Sequence, residues 1–292
     1  MAKTIKIALD DAQYATPTQE DINAAKQYIL QREDYASILG DRIDEILAEA
    51  AERIVTICYK YNVNPKDFTI SSKYNADMME EIEEVMDELE DEILNLINEY
   101  STRATNDKDR MNALVLWLAT LGRGNRNLKD TLHTYLYKTL KDWEAAIAAM
   151  KAAGLTLPQA ITRIRTYLHN IYSMPEVLAA FKNPQNFVAT YILSRGVQKG
   201  AVGISNNGAT NVINMAKITL QMAWMKSLYQ DYKEDGVAMY SVQRGSTYPC
   251  DLCDSHVGIW DIKDESHFPP FHPHCCCFVI PIYPKNSYNS KT

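Results

Sequence analysis

Apolar residues recur at helical spacing along most of the chain. Ile22, Ala25, Tyr28 and Ile29 form a first stripe. It follows Thr18-Gln19-Glu20-Asp21, a hydroxyl cap with acids where the positive end of a helix dipole favours them. Gly40 is expected to break this helix. Ile43, Ile46, Leu47, Ile54, Val55 and Cys58 continue the period on a second helix, which ends near Asn64-Pro65. From Ala76 to Tyr100 the stripe Ile82, Val85, Met86, Leu89, Ile93, Leu96 and Ile97 is backed by the acids of Glu80 to Glu92, predicting a long amphipathic helix. Met78, Met79 and Met86 read as core filler on it. Residues 106–121 predict a further helix ended by Gly122, and Leu128 to Ala153 another stopped by Gly154. Thr156-Leu157-Pro158 opens the next, with its proline in the first turn, where a missing N–H costs nothing. Two helical stretches lie within 174–235, separated by Gly196, Gly200, Gly203 and Gly208, and Asn211–Tyr232 is the stronger.

The period changes near Gly236. Val237–Val242 and Cys277–Tyr283 are short, apolar and β-prone, and Pro281 assigns the second to a sheet edge or an early end. The arm up to about Pro17 is polar and reads as extended, and the tail after Pro284 is polar and reads as loose. The fold class expected is mainly α: an elongated body of several long helices with a small C-terminal α+β module stapled by zinc. Three segments follow from this pattern: an acidic helical region over 1–105, a basic-to-neutral helical region over 106–235, and a Cys/His module over 236–292.

Composition agrees with that picture. Of 292 residues, 46% are hydrophobic and 23% charged, which excludes wholesale disorder, and 11 Gly with 11 Pro leave long stretches free of helix breakers. No apolar run approaches the roughly 20 residues that cross a bilayer, so no membrane span is expected. The opening MAKTIKIALDDAQ lacks the apolar stretch of a secretion signal, and an intracellular origin is the expectation.

The net charge of −7 conceals an asymmetry: residues 1–100 carry 9 Lys/Arg against 23 Asp/Glu, and residues 101–200 carry 14 against 6. A uniform basic coat for nucleic acid is excluded, while the middle third can present a basic surface and is the region expected to contact DNA. Acidic and basic parts can equally meet within the chain or between copies, as a homo-oligomer. In the loop Arg123–Lys129 three cations fall within seven residues and read as solvated. The glycine-rich piece GVQKGAVGISNNGAT lacks the Gly-Lys-Ser/Thr ending of a phosphate loop and reads as a connection. His133 and His169 lie within helices as surface or satisfied core residues.

Chemistry concentrates at the C-terminal end. Cys58 stands alone on its apolar stripe and reads as a buried core thiol. Cys250, Cys253, Cys275, Cys276 and Cys277 fall within 28 residues, interspersed with histidines. A disulfide scaffold spreads its cysteines through the fold, whereas this clustering points to a metal site in a reducing compartment. Cys250-x2-Cys253, then 18 residues, then His272-x2-Cys275 matches the spacing of structural zinc sites, in which each short turn supplies two donors and the ion draws the turns together. Cys250 and Cys253 are the firmest ligands. Cys275 and Cys277 alternate on a strand entry and can both face the ion, with Cys276 opposite. His272 is expected to complete the set, with His274 and His256 as competitors. A thiolate-rich shell closes all four positions of Zn2+, which argues for a structural role. The Pro249-Cys-x-x-Cys253 turn also occurs in zinc nucleobase deaminases, but these need a Glu two residues after an upstream His or Cys ligand, and neither His133, His169 nor Cys58 is so followed.

Asn211–Tyr232, Gly236-Val237-Ala238-Met239-Tyr240, Cys250/Cys253, Gly258, Pro269-Pro270 and His272-Pro273-His274-Cys275-Cys276-Cys277 follow one another in an order that resembles the phage head-morphogenesis, or minor head, proteins, relatives of the Mu head protein F. The resemblance covers the last 90–100 residues or so. It departs at Cys276, where that family usually carries Arg, and at Ile218-Thr219-Leu220, where it carries Arg-Thr-Glu. It implies a non-enzymatic minor component of the virion, inside the head near the portal after assembly in the host cytoplasm. Portal or capsid protein would be its partner, and DNA packaging or ejection a process it aids. Two other readings compete. One is a metal-dependent nuclease or toxin drawing on His256, His267, His272 and His274 with Asp251, Asp254, Asp261 and Asp264. The other is a generic zinc-stapled adaptor.

Overall fold

The stripes fold as helices. The structure, a computed structural model, describes residues 13–62, 76–121, 126–182, 207–272 and 274–285. Outside them lie most of the N-terminal arm, the helix end expected at Asn64-Pro65, the stop at Gly122 with the start of the cationic loop, the part of the first helical stretch of 174–235 beyond Lys182 with most of the glycine-rich connection, and the tail after Lys285. Among the described residues the chain forms α1 (Gln19–Lys60), α2 (Ala76–Thr102), α3 (Lys108–Thr120), α4 (Leu128–Ala152), α5 (Leu157–Thr166), α6 (Pro175–Lys182), α7 (Gly208–Glu234) and the single turn α8 (Asp251–Asp254). The strands β1 (Met239–Gln243), β2 (Gly258–Asp261) and β3 (Phe278–Ile282) form one antiparallel sheet in the order β2-β1-β3. The fold is mainly α with a small sheet near the C-terminus. No helix among the described residues is long and apolar enough to cross a membrane.

The start of α1 follows its sequence signal. The Thr18 hydroxyl accepts from the Asp21 amide at 3.2 Å while the Asp21 carboxylate accepts from the Thr18 amide at 2.7 Å. The expected break at Gly40 does not occur, and α1 runs 42 residues without interruption. Glycine costs a helix interior about 1 kcal/mol relative to alanine. Gly40 is buried between Leu39 and Ile43, both fully inaccessible, and burial of that apolar face outweighs the local preference. At the end of α4, Gly154 adopts φ +75°, the left-handed conformation that stops a helix.

The chain divides into two compact units, each discontinuous in sequence: residues 1–39, 97–119 and 216–292 form one, and residues 40–96 and 120–215 the other. Helices α1, α2 and α7 each contribute to both. In the first unit α1 and α7 meet through aromatic rings, with Tyr28 and Tyr35 lying 5.4 and 5.3 Å from Trp224. The Tyr28 hydroxyl donates to the Trp224 carbonyl at 2.6 Å. Tyrosines also fasten α7 to the sheet region: Tyr229 donates to the Ile262 carbonyl and Tyr232 to the Val279 carbonyl, while both rings pack on Phe268. In the register of the sheet Val242 faces Gly258 on β2 and Val279 on β3, and Pro281 lies on an edge strand as its missing N–H requires.

In the second unit the acidic face of α2 meets cations: Arg53 pairs with Glu88, Lys60 with Glu81, and Lys129 and His133 with Glu90. His169 bridges Asp44 and Thr210, so both helical histidines have partners. Cys58 is fully buried, and burial pushes its thiol up to about 12. Asp142 on α4 is 3% exposed, accepting from the Gly208 amide at the start of α7 at 2.7 Å and from the Tyr172 hydroxyl. Burial raises its carboxyl above the ordinary value against the lowering effect of those two donors. A raised folded-state value means that the folded chain holds the proton more tightly than the unfolded one. The stability this contributes is present at acid pH and lost as pH rises through the raised value.

Replacing Asp142 by Ala removes the carboxylate that accepts from the buried Gly208 amide and from the Tyr172 hydroxyl and is expected to cost about 2–3 kcal/mol. Asp142→Asn keeps a partner for each and is expected to stay within about 1 kcal/mol of wild type, with a flatter dependence of stability on pH. Urea unfolding of both variants between pH 5 and pH 8 measures this.

Candidate metal centre

Two short turns build the centre. Cys250, in extended conformation, precedes α8, and the turn closes through the Asp254 amide donating to the Cys250 carbonyl at 2.9 Å and the His256 amide to the Cys253 carbonyl at 3.0 Å. Two residues between the cysteines carry the chain through one helical turn, so that both side chains leave it on the same side. The second turn closes through the Cys275 amide donating to the His272 carbonyl at 3.1 Å, with His274 at φ +63°. A histidine tolerates that left-handed conformation better than a β-branched residue does.

The turns bring all five expected donors together. Cys250, Cys253 and His272 form one group, and Cys253, Cys275 and Cys277 another, with donor atoms within 4.8 Å of one another in each. The His272 Nε2 stands 2.9 Å from the Cys253 Sγ and 3.3 Å from the Cys250 Sγ, and the Cys253 and Cys275 sulfurs are 3.9 Å apart. Ligands held about 2.0–2.3 Å from a tetrahedral ion stand roughly 3.3–3.8 Å from each other. The 3.3 and 3.9 Å separations lie close to that range, and His272 and Cys253, at 2.9 Å, would have to part by about half an ångström to share an ion. Soft thiolates with one imidazole are also the donor set that borderline and soft cations prefer. The cluster could therefore bind a metal. Five donors exceed the four positions of a tetrahedral ion, and Cys275 and Cys277 are the pair between which the second turn offers a choice.

Proton sharing ties the sulfurs together. The Cys253 amide and thiol direct hydrogen bonds at Cys250, lowering its pKa. The Cys277 thiol donates to Cys275, lowering Cys275 and raising itself, and burial raises Cys253. A divalent cation would displace the protons of the sulfurs it takes as ligands.

The competing histidines go elsewhere. His256 faces His267, Nδ1 to Nδ1 at 3.0 Å, and stacks on Phe271 at 4.0 Å, while Trp260 stacks on His267 at 3.3 Å. His274 is exposed on its turn, and the half-buried Cys276 directs its thiol at the His274 carbonyl. The carboxylates disperse as well, Asp254 to Arg244 and Asp264 to the Ser266 amide and hydroxyl.

Three contributors left no readable signal in the sequence. Gly245 follows β1 and passes so close to the second turn that a Cβ there would lie 1.8 Å from the Cys276 carbonyl oxygen. Arg244 holds the first turn, donating to Asp254 and to the Tyr248 carbonyl. Arg32, from α1, donates to the Cys275 carbonyl of the second. The sulfurs also share one apolar core with the helices: Cys253, Cys275 and Cys277 pack with Ala25 and Ile29 of α1, Met225 and Tyr232 of α7, and Tyr240, Val242 and Phe278–Ile280 of the sheet.

Because that core is shared, Cys253→Ser is expected to abolish tight metal retention and to loosen the sheet together with the first half of α1. Near-UV circular dichroism should collapse and limited proteolysis should cut within 236–285, while far-UV helical signal falls only slightly. Gly245→Ala is expected to weaken metal retention without touching a donor, read by metal content after dialysis against a chelator. No protein-family model, curated protein or solved structure matches this chain.

Proposed function

We propose that the Cys/His centre holds a structural Zn2+ and that the chain is an assembly protein, a minor head protein of a bacteriophage, docking on portal or capsid protein inside the head. The observation that carries the structural half is the burial of a sulfur-rich donor set in the core that joins the sheet to α1 and α7. Four such donors fill the coordination of zinc and leave no position for a substrate water, so the ion acts as a cross-link. Cys250, Cys253 and His272 would supply three ligands, and Cys275 or Cys277 the fourth. When bound, zinc would contribute folding free energy by tying the two turns together. The assignment to a phage head rests on the ordered C-terminal elements, from Gly236-Val237 to the His-Pro-x-Cys-x-Cys ending.

A hydrolytic reading needs an ion with open positions and an adjacent acid or histidine. The engagement of His256 with His267, of Asp254 with Arg244 and of Asp264 with Ser266 favours the structural reading over that one.

Elemental analysis of the purified protein is expected to find one zinc per chain, and incubation with plasmid DNA and added Mg2+ or Mn2+ to give no cleavage. Metal-stimulated nicking would overturn the structural role. In lysates of producing cells the chain is expected to sediment with particles and to crosslink to portal or capsid protein; recovery only as free protein would overturn the phage-head assignment. Any DNA affinity is expected to map to residues 101–200 and to fall steeply with salt, measured by fluorescence anisotropy at two ionic strengths.

A further inference from the structure

We infer that Arg32, 243 residues before Cys275, is a positioning residue of the metal centre, orienting the Cys275 turn and opposing the charge of the bound thiolates. This rests on the reading of the cluster as a metal site and goes beyond the ligand set. Arg32 lies in the first half of α1 and is fully buried, an expensive place for a guanidinium. An arginine on a helix facing solvent carries its long stem outward. Here the side chain instead enters the core and reaches the second turn.

Its hydrogen bonds state what it does there. Nε and Nη2 donate to the Glu33 carboxylate at 3.0 and 2.6 Å, and Nη2 also donates to the Cys275 carbonyl. Gln221 on α7 donates to the same carboxylate at 2.9 Å, holding Glu33 against the guanidinium. A charge-assisted bond to the Cys275 carbonyl fixes the peptide plane of that residue, and so the direction in which its sulfur leaves the chain. Arg32 thereby does for the second turn what Arg244 does for the first through Asp254 and Tyr248.

Charge gives the second half of the inference. Glu33 is partly solvated, at 31% side-chain exposure, so it only partly neutralises a cation that has no water. The Nη1 of Arg32 is buried with no hydrogen-bond partner among the described residues. A divalent ion with three thiolates and a neutral imidazole carries a net charge of about −1, and with four thiolates about −2. Such a centre would be a second anionic counterpart for this buried guanidinium, beside the partly solvated Glu33. Lysine would keep the charge but not the fork that serves Glu33 and Cys275 together.

The test uses the full-length protein, with zinc affinity measured by competition against a chromophoric chelator and site geometry by the absorption of the Co2+-loaded form. Arg32→Met is expected to bind zinc 10–100-fold more weakly and to shift the thiolate-to-cobalt bands. Arg32→Lys is expected to recover part of the affinity but not the spectrum. Arg53→Met, which removes an exposed arginine on the same helix, should match wild type in both. Equal affinity and an unchanged cobalt spectrum in Arg32→Met would overturn the inference while leaving the metal reading intact. Should Arg32→Met not fold, hydrogen exchange on the wild type decides: zinc is expected to raise protection of α1 amides 25–36, and unchanged protection there overturns the coupling. A wild-type protein that takes up neither zinc nor cobalt overturns the metal reading first, and this inference with it.

Discussion

Sulfur and imidazole donors that crowd within bonding distance of one another are unfavourable company unless something neutralises them. In this chain Cys250, Cys253, His272, Cys275 and Cys277 are held together, with Cys253, Cys275 and Cys277 buried and Cys250 and His272 at the margin of the core, where thiolates left without a counter-ion would repel one another. Two turns of a few residues each do not hold such an arrangement alone. They are held by what surrounds them: a sheet of three short strands, the aromatic side of α7 and the first half of α1. The tyrosine bonds from α7 to Ile262 and Val279, the Arg244 clamp and the Arg32 bond are ties between that surround and the turns.

This arrangement explains why the C-terminal segment is not self-sufficient. A sheet of three strands with five residues or fewer in each buries little area on its own. Its inner face is completed by Ala25, Ile29, Met225 and Tyr232, drawn from helices that lie far away in the sequence. The unit that contains it is accordingly assembled from three separate stretches of chain. A cross-link placed in that core acts on all of them, because interiors packed at crystal-like density transmit displacement between contacting elements.

Much of the fold was legible because helices and caps are local. The stripe of α2, the Thr18 cap of α1 and the Gly154 stop of α4 each depend on residues within one or two turns of each other, and each stands in the structure where the pattern put it. Gly40 failed as a break because its cost is about 1 kcal/mol, less than what the buried face around it contributes. The strand β2 was missed because Gly258–Asp261 has four residues and no alternation long enough to count.

The candidate site divides along the same line. Donor type and spacing are written in the sequence, since a Cys-x2-Cys or His-x2-Cys turn is a local device, and those five residues do converge. The amino-acid sequence alone could not say that His256 would turn to His267 rather than to the sulfurs, or that Gly245 must be small because a carbonyl passes beside it. Least of all could it say that an arginine 243 positions upstream would supply the buried cation. Those choices are decided by contacts between segments with no sequence relation, and only the packed chain brings them within a few ångströms.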